Sequence, residues 1–250
     1  MLGLPAGTHA ALFDLDGVLT QTAKVHAKAW KQMFDEYLKA RAQKEGEAFV
    51  PFEDTDYDAY VDGLPRPDGV RNFLKSRGIV LPEGERSDPP TAETVNGLGN
   101  RKNVLVLEII RRDGVQPYDG SIRYLHAARD AGLKTAVVSS SANAKEVLEA
   151  VGILDLFDHV VDGHAVAEGG LKGKPAPDTF LAGARALDVD PAHAAVFEDA
   201  LAGVEAGRAG HFGRVIGVDR VGQADALREH GADVVVQDLD ELLDRDGASA

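Results

Sequence analysis

The sequence predicts an α/β protein with a mostly parallel sheet and an inserted helical domain. From residue 117 onward, short apolar runs alternate with helical segments, which is the pattern of a parallel sheet covered on both faces. An apolar run at 10–13 resembles these later strands, although a block with helical spacing at 21–116 separates it from them. We therefore expect a core domain built from 1–20 and 117–250, with 21–116 as a second domain.

The strand candidates are short apolar runs bounded by polar residues or glycine. They lie at 10–13, 135–139, 159–162, 194–198, 214–218 and 232–236. Helical segments lie between most of them, so that successive strands are expected to run parallel.

The inserted block begins with a predicted helix from Thr22 to about Arg41, in which apolar residues recur at three- and four-residue intervals. The proline-rich stretch 65–69 predicts a turn, and a second helix is expected to begin at Val70. A polar loop follows at 81–90. Residues 91–112 have helical spacing again, with an interruption near 96–100 where asparagine and glycine cluster.

Composition excludes several classes of partner. The formal net charge of −14 and the pI of about 4.9 disfavour nucleic acids and anionic membranes, which need basic surfaces. The chain has no cysteine, and its first residues lack the basic and apolar regions of a signal peptide. We expect a cytoplasmic protein without membrane spans whose partner is a small molecule. A monomer is expected, with an oligomer as the alternative.

Two carboxylates, Asp14 and Asp16, directly follow the first predicted strand, and Gly17 ends it. The carboxyl edge of a parallel sheet is where ligands bind. An acid pair there can hold a hard cation through oxygen and can attack a phosphorus atom. The alternative is a turn in which aspartate and glycine serve only the backbone.

Two further segments offer groups that bind anions. Ser139, Ser141 and Asn143 follow the second strand, where they could either bind a phosphoryl group or cap the next helix. Lys174 lies beside a Pro-x-Pro turn, which makes it a fixed cation, although most loop lysines are simply solvated.

A second pair of acids, Glu198 and Asp199, ends the strand at 194–198. Two acid pairs that face each other at neighbouring strand ends are unfavourable unless a cation lies between them. The pattern therefore favours a Mg²⁺ site.

These four segments, DxDGVxT, a strand-end serine, KPAPD and ED, resemble in their order the motifs of the haloacid dehalogenase superfamily of phosphotransferases. The resemblance implies a Rossmann-like core, a helical cap domain at 21–116 and Mg²⁺ as cofactor. It implies that Asp14 is the nucleophile, that Asp16 is the general acid and base, and that Ser139 and Lys174 hold the transferred phosphoryl group. The implied metal ligands are Asp14, the carbonyl of Asp16 and Asp199, with Glu198 near them.

The run 14–30 resembles the start of the β-phosphoglucomutase-like subfamily. That resemblance implies interconversion of β-glucose 1-phosphate and glucose 6-phosphate through an aspartyl phosphate and a 1,6-bisphosphate. The residues it assigns to the substrate fall into two groups. Arg66, Ser141 and Asn143 would hold the phosphate that does not react, and Thr22, His26 and Lys102 would couple substrate binding to the placement of Asp16.

Two alternatives to the mutase remain at this point. The first is a phosphatase that hydrolyses a small sugar phosphate, because both reactions share the first half-reaction. The second is a sensor without activity on the same fold, which the retention of Asp14 and Asp16 disfavours. Gln21 and Ala142 depart from the subfamily pattern, since an acid and a lysine are common at these positions.

Overall fold

The computed structural model describes residues 2–61 and 64–243, and the chain divides into two compact units. The sheet unit consists of Met1–Thr22 and Val115–Ala250, and the helical unit of Ala23–Gly114. Both limits of the helical unit lie two residues inside the predicted limits 21 and 116. The assignment of the two units as catalytic core and cap stays a prediction.

The sheet unit contains a six-stranded sheet in which all paired strands are parallel. The strands are β1 (Ala10–Phe13), β2 (Lys134–Val138), β3 (His159–Val161), β4 (Ala194–Glu198), β5 (Arg214–Val218) and β6 (Val234–Val236). Their order is β3-β2-β1-β4-β5-β6. The predicted parallel α/β fold is confirmed, and each predicted strand is present within two residues of its expected limits.

The strand order places β1 between β2 and β4. From β1, strands β2 and β3 extend to one side of the sheet, and β4, β5 and β6 extend to the other. Phe13, the last residue of β1, pairs in register with Val137 and Phe197. The residues that follow these three strands therefore meet at one edge of the sheet. In open α/β sheets, this switch point is the usual ligand site.

Helices cover both faces of the sheet, and the central strands β1 and β4 are buried along their whole length. In the described part of this unit the helices are α5 (Asp119–Asp130), α6 (Ala144–Val151), α7 (Gly163–Glu168), α8 (Asp178–Ala186), α9 (Leu201–Ala209) and α10 (Ala224–Glu229). All four residues of β1 are fully buried. Phe13 stacks on Phe197 with 4.5 Å between ring centroids, which makes the two central strands one packed layer.

The helical unit is held together by an aromatic cluster around Phe34. Its helices are α1 (Thr22–Glu45), α2 (Asp54–Tyr60), α3 (Arg66–Ser76) and α4 (Val95–Asp113). The ring of Phe34 lies 5.3 Å from Trp30, 5.1 Å from Phe52 and 4.2 Å from Phe73 between centroids. No helix in the described residues of either unit is long and apolar enough to cross a membrane.

Two predictions for the helical unit are wrong. The stretch 65–69 is not an independent turn, since α3 already begins at Arg66 with Pro67 in its first turn. A proline is tolerated there because the first amides of a helix have no intrahelical acceptor. The predicted interruption near 96–100 is also absent, since α4 continues through it and begins at Val95, where the Thr94 hydroxyl accepts a hydrogen bond from Gly97.

The two glycines of this stretch differ in the space around them, which gives a matched pair of substitutions. A Cβ at Gly97 would overlap the carbonyl of Ala92, whereas a Cβ at Gly99 would have its nearest neighbour at 3.7 Å. We expect Gly97→Ala to lower the free energy of unfolding by about 1–3 kcal/mol. Gly99→Ala is expected to raise it by about 0.5–1 kcal/mol, because alanine favours helix.

Urea unfolding followed by the fluorescence of Trp30 measures both variants in the helical unit, since Trp30 is the one tryptophan of the sequence. Equal effects of the two substitutions would contradict the assigned packing.

Candidate active site

The first acidic loop is fixed in place by the backbone. The amide of Asp14 donates to the carbonyl of Phe197 at 2.9 Å, which continues the pairing of β1 with β4 by one residue. The amide of Gly17 then donates to the carbonyl of Thr20, and the Thr22 hydroxyl donates to the carboxylate of Asp16. The loop after β1 is therefore a closed turn that carries both acids.

Gly17 allows the first acidic loop to approach the second. Its φ of 82° is in the region that favours glycine, and a Cβ built on it would overlap the carboxylate of Asp199. The carboxylate of Asp199 thus lies directly against the backbone that follows Asp16. Asp16 and Asp199, which lie 183 residues apart in the sequence, are therefore on neighbouring loops in the fold.

The ammonium group of Lys174 lies among the acids. Its Nζ donates to Oδ1 of Asp14 at 2.5 Å, to Oε1 of Glu198 at 2.7 Å and to the carbonyl of Val138 at 3.1 Å. These three bonds use all the donors of a lysine. The Lys174 side chain is only 10% exposed, so it is not the solvated loop lysine of the alternative.

Burial and crowding shift the pKa values of this cluster. Burial, with a smaller contribution from the charges of Glu198 and Asp16, raises the pKa of Asp14 to about 8, although the charge of Lys174 opposes this shift. The pKa of Asp199 is raised by burial and by the same neighbouring acids. Burial would lower the pKa of Lys174, but the carboxylates of Asp14 and Glu198 outweigh it and raise the pKa.

The cluster has more carboxylates than one ammonium group can neutralise, and this excess fits a divalent cation. Asp14, Asp16 and Asp199 offer the oxygen donors that Mg²⁺ prefers. No three acidic or histidine side chains in the described residues close into a ligand set by themselves. Mg²⁺ does not require such a set, since it is usually bound through one or two carboxylates and keeps several waters.

Glu198 has partners other than the acids of the first loop. One oxygen accepts from Lys174, and the other accepts from the amide of Ala200 at 2.7 Å. A Cβ at Gly203 would overlap this carboxylate, so α9 packs directly on it. The place of Glu198 near the metal stays a prediction.

The loop after β2 contains the serines singled out in the sequence. Ser139 follows the strand directly, is buried, and its hydroxyl accepts from the amide of Ser141 at 3.0 Å. The Ser141 hydroxyl in turn accepts from the amide of Asn143 at 3.2 Å. Asn143 precedes α6, but its side chain makes no capping bond. The two hydroxyls order the loop, and their contact with phosphate stays a prediction.

Three basic residues from distant parts of the sequence meet in the helical unit. Nζ of Lys102 lies 2.6 Å from Nδ1 of His26 and 5.0 Å from the ring centre of Trp30. Burial, then the charges of Lys102 and Arg66, lower the pKa of His26, and burial also lowers the pKa of Arg66. We call His26, Arg66 and Lys102 the basic cluster. The lowered pKa of His26 favours the neutral imidazole, whose Nδ1 can accept from Nζ of Lys102.

Two polar residues of the sheet unit, Arg220 and Gln223, follow β5 and were not among the predicted site residues. Arg220 donates to the carbonyl of Gly17 at 2.8 Å, and Gln223 donates to the carbonyl of Asp199 at 2.9 Å. The feature of the sequence that could have indicated Arg220 is its charge shortly after a buried strand, at the carboxyl edge of the sheet where the other motifs lie.

Comparisons with known proteins agree with this architecture. The family model described as haloacid dehalogenase-like hydrolase matches residues 8–211. A Mycobacterium bovis protein named β-phosphoglucomutase is 58% identical over 247 residues, which cover 97% of this chain and 94% of that protein. A Bacillus subtilis protein of the same name is 32% identical over 234 residues, with 93% and 91% covered.

Among solved structures, the β-phosphoglucomutase from Clostridium difficile superposes with a TM-score of 0.71 at 26% identity, and the match covers 94% of this chain and 93% of that one. The fold, the order of the motifs and these similarities lead to one assignment. The chain belongs to the haloacid dehalogenase-like hydrolase family, in its β-phosphoglucomutase-like subfamily.

Proposed function

We propose that this enzyme interconverts β-glucose 1-phosphate and glucose 6-phosphate, with Asp14 as the nucleophile. The observation that supports it is the position of Asp14 at the end of the central strand, bonded to Lys174 at 2.5 Å and next to a second acidic loop. The 58% identity to a named β-phosphoglucomutase supports the substrate. Action in the cytoplasm as a monomer, without nucleic-acid or membrane partners, stays a prediction.

In the first half-reaction, a carboxylate oxygen of Asp14 attacks the phosphorus of a sugar bisphosphate and forms an aspartyl phosphate. The bond from phosphorus to the sugar oxygen breaks, and the proton of Asp16 goes to that oxygen. In the second half-reaction, Asp16 takes the proton from the hydroxyl of a sugar monophosphate, and the oxygen of that hydroxyl attacks the phosphoryl group. The product is a new 1,6-bisphosphate and free Asp14.

Thr22 is suited to orient Asp16 for both proton transfers. Its hydroxyl donates to the Asp16 carboxylate and lies 3.1 Å from the hydroxyl of Thr20. This contact holds one oxygen of Asp16 and so restricts the rotation of its carboxylate. The residue assigned by resemblance to the hinge thus has a direct contact through which it acts on the acid and base.

A cation at this site would be held by Asp14, the carbonyl of Asp16 and Asp199, with Glu198 near them. When bound, Mg²⁺ neutralises charge on the phosphoryl oxygens. Lys174 supplies a second positive charge at the same place, and Ser139 a hydroxyl donor. Phosphoryl transfer depends mainly on such alignment and charge neutralisation.

The phosphate that does not react needs its own cationic partner. By resemblance, Arg66, Ser141 and Asn143 fill this role, and a guanidinium group binds phosphate in a bidentate manner. The position of Arg66 in the basic cluster supports the assignment, since Lys102 and Arg66 are two partly desolvated cations in a protein of net charge −14. A doubly charged anion would compensate for their loss of solvation.

A paired assay tests the reaction. The protein is mixed with β-glucose 1-phosphate, Mg²⁺ and a trace of glucose 1,6-bisphosphate, and both glucose 6-phosphate and free phosphate are followed. We expect glucose 6-phosphate as the main product, because the aspartyl phosphate reacts with the sugar rather than with water. Free phosphate as the main product would instead identify a sugar-phosphate phosphatase.

Two substitutions separate the roles of the acids. Asp14→Asn is expected to lower kcat more than about 1,000-fold with every substrate, because no aspartyl phosphate forms. Asp16→Asn is expected to lower turnover of sugar phosphate by about 100-fold or more, since the leaving alkoxide receives no proton.

The second variant should still release 4-nitrophenolate from 4-nitrophenyl phosphate in a rapid burst, because that leaving group needs no proton. The burst is measured by stopped-flow absorbance. A burst with Asp14→Asn would overturn the assignment of the nucleophile.

Removal of the cation at Lys174 should affect stability as well as activity. Lys174→Met leaves Asp14 and Glu198 buried without their partner, and we expect a loss of about 3–5 kcal/mol in the free energy of unfolding. The control is Lys28→Met, which breaks an exposed pair with Asp113 and should cost less than about 1 kcal/mol. Both are measured by urea unfolding with circular dichroism, without divalent cations. Similar losses for the two variants would contradict the buried pairing.

A further inference from the structure

Arg220 connects the first acidic loop to the rest of the sheet unit. Its Nε donates to the carbonyl of Gly17 at 2.8 Å, and its Nη1 donates to the carbonyl of Gln237 at 2.6 Å. The guanidinium carbon lies 3.5 Å from the ring centre of Tyr118. The planar fork of a guanidinium donates from separate nitrogens in fixed directions, whereas an ammonium group donates from a single atom.

The third nitrogen of Arg220 joins a small polar network behind the same loop. Nη2 lies 3.4 Å from the carbonyl of Val18, 3.4 Å from the Ser121 hydroxyl and 3.3 Å from Oδ1 of Asp238. Ser121 is fully buried and donates to the carbonyl of Val18 at 2.6 Å. The carbonyls of Gly17 and Val18, which follow Asp16, therefore both accept hydrogen bonds from side chains of the sheet unit.

Gln223 makes the corresponding contact with the second acidic loop, where its side chain donates to the carbonyl of Asp199 at 2.9 Å. Asp219 orders the segment between the two contacts. Its Oδ1 accepts from the amides of Val221, Gly222 and Gln223 at 3.3, 2.7 and 2.8 Å. Residues 219–223, which we call the β5 loop, thus form a fixed turn that binds the backbone of both acidic loops.

We propose that the β5 loop positions the cation site, with Arg220 acting through the loop that carries Asp16 and Gln223 acting through Asp199. Both are positioning residues, since neither contacts the reacting carboxylates. The expected ligands are the backbone carbonyl of Asp16 in the first acidic loop and the carboxylate of Asp199 in the second. A shift of either loop would therefore change the distance between these ligand oxygens. This inference rests on the proposed function for the identity of the cation.

Arg220→Lys keeps the charge and removes the fork. We expect the amides of Gly17, Leu19 and Thr20, which are hydrogen-bonded within the loop, to exchange with deuterium at least about tenfold faster. The Kd for Mg²⁺, measured by calorimetry without sugar, is expected to rise about 10- to 100-fold. The value of kcat should fall by a similar factor, while KM for the sugar phosphate stays within about threefold.

The matched control is Arg129→Lys. Arg129 also binds a backbone carbonyl, that of Leu156 at 2.7 Å, and the Thr135 hydroxyl at 3.2 Å, but it lies at the amino end of β2, away from the acids. We expect this variant to leave the exchange of residues 14–20, the Kd for Mg²⁺ and kcat within about twofold. If Arg220→Lys acted only through a general loss of stability, Arg129→Lys would change the exchange, the Kd for Mg²⁺ and kcat to a similar extent.

Gln223→Ala is the second test, because it removes a single bond and is the milder change. We expect the Kd for Mg²⁺ to rise about threefold or more, without faster exchange at Gly17. A folded Arg220→Lys protein with unchanged exchange and unchanged Kd would overturn the inference. If Arg220→Lys does not fold, an unchanged Kd in Gln223→Ala overturns it.

These readouts separate the inference from the proposed function. A wild type that makes no glucose 6-phosphate contradicts the mutase, while the exchange and the binding of Mg²⁺ still test the β5 loop. A wild type that binds no Mg²⁺ contradicts the cation site, and the exchange at Gly17 then decides whether Arg220 holds the loop.

Discussion

The ammonium group of Lys174 lies between two buried carboxylates, Asp14 and Glu198, at the carboxyl ends of β1 and β4. Removal of charges from water is unfavourable, and only close pairing compensates for it. The two ion pairs offset part of the unfavourable desolvation of these three charged groups. One ammonium group thus lies among the carboxylates of Asp14, Asp16, Glu198 and Asp199, and this excess of negative charge favours a divalent cation.

The position of these acids follows from the topology. Because β1 is the central strand and its neighbours β2 and β4 lead away in opposite directions, three strand ends present their loops at one edge. Each loop then contributes one kind of group: acids after β1 and β4, and hydroxyls after β2. The loop after β5 contributes side chains that hold the backbone of the acidic loops. The candidate catalytic side chains and the side chains that hold their loops therefore follow four neighbouring strands of the same sheet, β2, β1, β4 and β5.

Charge is distributed unevenly in this protein. The chain has a net charge of −14, yet Lys174 in the sheet unit and the basic cluster in the helical unit are partly or wholly withdrawn from solvent. A cation that is partly desolvated attracts an anion more strongly than one in bulk water. In the basic cluster of the helical unit, cations dominate locally, so the excess of acids elsewhere does not oppose phosphate binding there. Around Lys174 the carboxylates are in excess, so a divalent cation is needed as well. Composition argued against nucleic acids as partners, but it left open the binding of a small phosphate ester.

The sequence by itself determined the parallel sheet, its six strands and the four motifs, because apolar periodicity and residue order are local properties. It placed Asp14, Asp16, Ser139 and Glu198 correctly at strand ends. The tertiary structure decided the rest. Helix α4 runs through Gly97 because Thr94 caps it and the small residue fits against Ala92. Lys174 meets Asp14 across 160 residues, and Arg220 meets Gly17 across 203. Contacts of this kind depend on which strands are neighbours, and no local pattern in the chain encodes that.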